Sequence, residues 1–237
     1  MTTDIGNNQF GEANGQLTIW FPPFDRFEVP YCKIDLRLAT GQQIWVSPED
    51  DVYVVSPRPA PEPDATASGV FRYRGPFPTS PDASGGCGRT DSLGSPLADS
   101  FRKEKVLAAG DHGLASPSGI VGTPDGHFYV SSVITGVINE YDADWRFVRT
   151  VLAPPPGDTL GTTTYSTGTP LGLGLGRDGT LWYADIGIVF RGGGFGPGRR
   201  NGSLRRIVFT DGEPGTPEVV ASGLGFPDAL GTWPPSE

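Results

Sequence analysis

Of the residue type best suited to general-base work, this chain of 237 residues has only two copies. The imidazoles are His112 and His127, the residue type suited to general-base work near neutral pH. His112 follows Asp111 in a loop that leads into a strand, where a functional role has room. His127 lies inside a turn-to-strand phrase and is expected to be exposed. A serine nucleophile would need a strained elbow such as Gly-x-Ser-x-Gly, and the sequence has none. Gly172-Leu-Gly-Leu-Gly176 has glycines at phosphate-loop spacing. It runs into an Asp-Gly turn and a strand instead of a helix, so it lacks the helix N-terminus on which a dinucleotide sits. Cys32 and Cys87 form no Cys-x-x-Cys or Cys/His cluster, which removes a zinc site. They can pair in an exported chain or remain two free thiols. Asn201-Gly-Ser203 fits a glycosylation sequon.

Charge narrows the partners. The net charge is −9 and only three lysines occur, which disfavours nucleic acid, whose phosphates need clustered cations. Arg199, Arg200, Arg205 and Arg206 read as the solvated face of a loop and strand. An acidic surface is compatible with cation binding. No apolar run approaches a membrane span, and no basic stretch followed by an apolar core marks a signal peptide. The reading leans to an extracellular or periplasmic location.

Turns and short strands must position whatever chemistry there is. The 35 glycines and 24 prolines suit tight turns, while the aromatic and branched residues of the repeats supply apolar surface that argues against disorder. A phrase recurs from Ser116 to Val130 and from Thr169 to Asp185: apolar strand, Asp-Gly turn, second strand. That is a hairpin signal, and its return after tens of residues means a repeat architecture. Two further strands follow each copy, Gly136–Asp142 with Phe147–Leu152 and Ser203–Phe209 with Pro217–Ala221. A third, more divergent copy begins at Gln43, with Gly69–Arg74 and Lys105–Ala109 as its later strands. Pro/Gly/Ser-rich stretches at 57–67 and 75–100 read as surface insertions. Thr3–Gly6, Gln16–Trp20 and Tyr31–Leu36 read as the late strands of an N-terminal unit. Phe226–Trp233 reads as a first strand, expected to pack in the same blade as those N-terminal strands. The fold predicted is all-β: a β-propeller of four-stranded antiparallel blades with about four recognisable units over 1–237, whole or partial.

These residues resemble the NHL-repeat and SMP-30/gluconolactonase-like six-bladed propellers. The resemblance rests on the Pro-x-Gly-Ile/Leu first strand, the Asp-Gly turn, and the Tyr-Val or Trp-Tyr-Ala-Asp second strand. It covers Leu114–Leu152 and Thr169–Leu230. Six blades would mean divergent ones hidden in residues 1–110, or completion by another chain. The resemblance implies that Ser118, Leu171 and Asp228 face a central channel. In the lactonase branch such positions help to hold a divalent ion, here Ca2+ or another divalent cation. Asp228 matches the family's Asp and Glu12 is a remote match for its Glu, whereas Ser118 is a poor hard-cation ligand and Leu171 is none. Asp228 and His112 are then the candidate catalytic residues. With no complete acid–base or metal set, the expected function is a binding platform for a protein or glycan. The alternatives are a metal-dependent lactone or ester hydrolase, and a propeller fragment that self-associates through open blade edges.

Overall fold

The computed structural model describes residues 1–4, 15–25, 27–57 and 68–231. Glu12 and most of the 57–67 insertion lie outside the described residues. The chain forms two compact units, Met1–Ala109 and Gly110–Glu237. No helix among the described residues is long and apolar enough to cross a membrane.

The first unit begins with β1 (Thr2–Asp4), β2 (Gly15–Trp20) and β3 (Tyr31–Leu38), then β4 (Ile44–Val46), β5 (Val52–Ser56) and β6 (Gly69–Arg74). It continues with the short β7 (Arg89–Thr90) and β8 (Pro96–Leu97) and ends on β9 (Arg102–Ala108). Strands β4-β5-β6-β9 make one four-stranded antiparallel sheet, as the third copy of the phrase predicts. Strands β1-β2-β3 make the other. Inward residues of both sheets, among them Leu17, Ile34, Val52, Val54, Phe71 and Tyr73, share one buried cluster.

The 75–100 stretch is more than a surface insertion. Its β8 pairs in parallel with β3 at Lys33, and β7 joins β8, so the first sheet grows to five strands. Cys87 and Ala98 are buried in the same core, and Cys87 is bonded to Cys32 of β3. Lys33 also reaches Asp91 of the stretch at 2.6 Å. Apolar burial, a covalent tie and an ion pair together hold this polar stretch against the sheet.

The second unit carries the two clearest copies. One is β10 (Pro117–Gly122), β11 (Phe128–Ser132), β12 (Val137–Tyr141) and β13 (Phe147–Leu152). The other starts with β14 (Pro170–Leu175) and β15 (Leu181–Asp185); a hairpin of β16 (Ile188–Arg191) and β17 (Gly194–Pro197) comes next. Then follow β18 (Gly202–Ile207), the short pair β19 (Phe209–Thr210) and β20 (Glu213–Pro214), and β21 (Glu218–Leu224). The sheets run β10-β11-β12-β13 and β14-β15-β18-β21, every pairing antiparallel. Asp-Gly turns join their first two strands, with Gly126 at φ 87° and Gly179 at φ 79°, a region open to glycine without a Cβ penalty. Leu171 of β14 packs with Val133, Ile186 and Ile188, and the Ser131 hydroxyl donates to the Leu171 carbonyl at 2.9 Å.

Two expectations need correction. The connection between Asp185 and the third strand of its copy, where no strand is expected, folds into the β16–β17 hairpin. Among the described residues no strand forms over Phe226–Leu230, where a first strand is expected. Phe226 has φ 60°, outside the extended region, so the chain turns where that strand would begin. The segment lies instead against β14, with the Asp228 carbonyl oxygen 2.6 Å from where a Cβ on Gly172 would stand.

Candidate functional site

Connectivity decides where side chains can gather in the second unit. First strands begin, second strands end and fourth strands end at one edge of both sheets, which follows from the antiparallel order. The long connections 153–169 and 186–201 leave from this edge, as does the turn before β10. The opposite edge closes with three tight turns and, between β18 and β21, the short β19–β20 hairpin. There Asp125 accepts from the Thr123 hydroxyl and Asp178 from the Thr180 hydroxyl and amide. Those hydrogen bonds hold both carboxyls below the usual carboxylate range, in the turn role the sequence assigns them.

The turn before β10 carries the candidate site. Asp111–Gly113 form a short 3-10 turn, with His112 at φ 41° between Gly110 and Gly113, which are also at positive φ. A non-glycine residue there stores backbone strain. Asp111 Oδ2 lies 2.9 Å from His112 Nδ1 and accepts the Tyr141 hydroxyl at 2.9 Å. Asn139 Nδ2 donates to the His112 carbonyl at 3.0 Å, and Asn139 Oδ1 accepts from Thr150. The imidazole lies flat on the Phe147 ring, centroids 3.9 Å apart. Burial pushes the Tyr141 hydroxyl far above its ordinary pKa, so it stays a neutral donor to Asp111. With Nδ1 turned to Asp111, Nε2 is the ring nitrogen left for a ligand, on a side chain about half exposed (49%). No serine, threonine or cysteine hydrogen-bonds the ring among the described residues. The dyad can therefore orient and accept a proton, with no nucleophile poised beside it.

The other candidates are placed differently. Ser118 is buried, donates to the Ser116 carbonyl at 2.6 Å and accepts the Val133 amide, so its hydroxyl is already used. Leu171 is buried in an apolar cluster. Asp228 is exposed, but the protein crowding one side of it raises its carboxyl above the ordinary range through desolvation. No group of three or more His, Cys, Asp or Glu side chains suited to a metal occurs among the described residues. A divalent ion prefers several oxygen ligands including carboxylates; the described donor set does not fit one.

His127 differs from expectation, being partly buried and held by Glu140 at 2.7 Å. Glu140 also accepts from Arg149 at 2.7 Å. Asp185 ends β15 fully buried and accepts the amides of Thr169 and Gly187, the Ser203 hydroxyl and the Arg205 guanidinium. These bonds tie the neighbouring loops to the end of β15. They also absorb Ser203, the hydroxyl residue of the sequon. Sequence reasoning missed Tyr141, Asn139 and Phe147, the supports of the dyad. The only signal was their position on the third and fourth strands of the same copy as Asp111.

No protein-family model matches the chain, and no curated protein matches its sequence. Solved structures do resemble it. A luciferin-regenerating enzyme matches at 14% identity and TM-score 0.51, over 95% of this chain and 58% of that one. Regucalcin from Agrobacterium tumefaciens, a calcium-binding protein, matches at 16% identity and TM-score 0.43, over 73% and 45%. Virginiamycin B lyase from Staphylococcus aureus matches at 18% and 0.31, over 80% and 73%. The chain thus spans about half the length of the first two. The likeness to the first agrees with the four-stranded antiparallel sheets, and the fold is of the β-propeller kind.

Proposed function

We propose that this chain, as one propeller domain or a partial one, is a binding platform for a protein or glycan partner. One observation carries the reading. The long connections of the second unit and the Asp111–His112 pair leave from one edge of its sheets, while the opposite edge closes in three tight turns and the short β19–β20 hairpin. Functional residues concentrate on such loops because a rigid scaffold can hold them without burying their backbone polar groups. An imidazole fixed by Asp111 and lacking a neighbouring nucleophile suits hydrogen bonding to a ligand hydroxyl better than covalent chemistry. The test is calorimetric titration of the full chain against a panel of neutral and acidic oligosaccharides. His112→Ala should weaken any binder by about tenfold, the loss expected from one hydrogen bond to a well-placed partner. A panel in which nothing binds, or in which His112→Ala binds equally well, refutes the glycan form of this reading.

A metal-dependent lactone or ester hydrolase is the second reading. The raised carboxyl of Asp228 and the likeness of fold to an enzyme support it. An ion would polarise a substrate carbonyl and activate water. Asp228 is the described residue that would help hold it, and the described donors do not complete the set. Lactone hydrolysis that needs added calcium and disappears in Asp228→Ala would establish this reading over the first. A mass in solution above that of one chain would favour self-association through open sheet edges.

A further inference from the structure

The β16–β17 hairpin has no counterpart in the β10–β13 copy, and its composition departs from the rest of the chain. From Ile186 to Thr210 there are five arginines and no carboxylate, in a protein of net charge −9. Arg205 is paired with Asp185 and Arg206 with Glu218. Arg191, Arg199 and Arg200 are exposed and have no ion pair among the described residues. The root of the hairpin is fixed: Ile188 and Val189 are buried, and the Gly198 amide donates to the Gly187 carbonyl at 2.8 Å. The far end exposes two rings, Phe190 (41%) and Phe195 (55%), packed edge to face at 5.2 Å.

The backbone supplies a second, independent feature. Phe190 faces Phe195 across the hairpin, yet the Phe190 amide donates outward to the Gly161 carbonyl at 2.6 Å. This is therefore a non-hydrogen-bonded pair, whose N–H and C=O groups point away from each other. The N–H and C=O of Phe195 accordingly face out from the other side of β17. No backbone hydrogen bond fills them among the described residues. Gly194 and Gly196 leave a shallow cavity of about 230 Å³ walled by Val189, Arg191, Phe195 and Pro197. An open edge without bulky side chains is a template for an added strand.

We propose that the hairpin docks an acidic, extended peptide segment of a partner protein as a third strand on β17. Backbone pairing at Phe195 would give affinity. Alternate acidic side chains would meet Arg191, Arg199 and Arg200, and the apolar ones between them the two Phe rings. This site is separate from Asp111–His112 and goes beyond the binding reading above.

The test uses the full chain and a fluorescein-labelled octapeptide of alternating Glu and Val. The same peptide N-methylated on alternate amides, an alternating Lys–Val peptide and heparin serve as comparisons. The Glu–Val peptide should bind, more weakly as salt rises. The triple variant Arg191→Ala/Arg199→Ala/Arg200→Ala, checked for an unchanged circular dichroism spectrum, should bind about tenfold more weakly, as three exposed ion pairs predict. N-methylation should abolish binding, the Lys–Val peptide should not bind, and His112→Ala should bind as the parent does. Equal binding by the triple variant, equal binding of the N-methylated peptide, or capture of heparin without the peptide would overturn the proposal. Loss of binding in His112→Ala but not in the triple variant would move the site off the hairpin and overturn it as well.

Discussion

Replacing Asp185 tests the load on one buried carboxylate. Its side chain accepts the Thr169 amide at 2.7 Å, the Gly187 amide at 2.9 Å and the Ser203 hydroxyl at 2.7 Å, and lies 3.1 Å from the Arg205 guanidinium. Asp185→Ala leaves two amides without their acceptor, each costing about 1–3 kcal/mol. It also takes the counter-ion from an Arg205 side chain that is only 11% exposed. Arg205 keeps Ser203 and the Ser166 carbonyl, which softens that loss. The sum is about 4–5 kcal/mol, against about 1–2 kcal/mol for Ser203→Ala, which removes the bond it donates to Asp185 and the one it accepts from Arg205. Asp185→Asn keeps one acceptor oxygen and should fall between, at about 2–3 kcal/mol. Urea unfolding followed by Trp182 fluorescence reads the sheet that holds Asp185. At a slope of about 2 kcal/mol/M the midpoint for Asp185→Ala should drop by about 2 M. An Asp185→Ala protein that loses less than about 1 kcal/mol, or no more than Ser203→Ala, would refute the structural role. Loss of ligand binding with stability intact would then recast Asp185 as a functional residue.

Other perturbations are sharp in the same way. Lys33 and two backbone amides hold the Asp91 carboxyl down at about 2, below the ordinary value of about 3.9. The charged form is favoured in the folded state, so its contribution is present above about pH 4 and is lost as pH falls from about 4 to about 2. Acid titration of stability in Asp91→Asn should lack that component, and an unchanged profile would remove the assignment. Reducing the Cys32–Cys87 bond, which closes a span of 55 residues, should destabilise the first unit by about 2–4 kcal/mol, read as a lower melting temperature with reductant. Gly172→Ala should displace the 226–230 segment, because its Cβ would stand 2.6 Å from the Asp228 carbonyl oxygen; faster amide exchange at Ala229 and Leu230 is the expected signature. Desolvation on one side of the exposed Asp228 carboxyl disfavours its charge, so Asp228→Asn should leave stability at pH 7 equal or higher. A marked loss, or calcium-dependent stabilisation confined to the parent, would argue for a bound cation.

Much of the fold was legible because it is local. An Asp-Gly turn needs only its own few residues, a side-chain acceptor and a glycine at positive φ, so the hairpins at Asp125 and Asp178 follow from sequence. The candidate site was legible only in part. Asp111 and His112 are neighbours and could be read together, but what fixes them, Tyr141 and Phe147, comes from strands about thirty residues on and carries no local mark.

What the sequence by itself determined is therefore the hairpin repeat, the all-β class and the turn carboxylates, each set by short-range conformational preference. The tertiary structure alone decided the rest. Pairing of Cys32 with Cys87 and the joining of β8 to β3 at Lys33 depend on contacts across tens of residues that no local pattern encodes. The β16–β17 hairpin was hidden because glycine leaves no alternating side-chain signal, so its strands are defined by backbone pairing and by the burial of Ile188 and Val189 at its root. The C-terminal segment reads as a strand from its side chains. The extended backbone it would need is lost where Phe226 turns to positive φ.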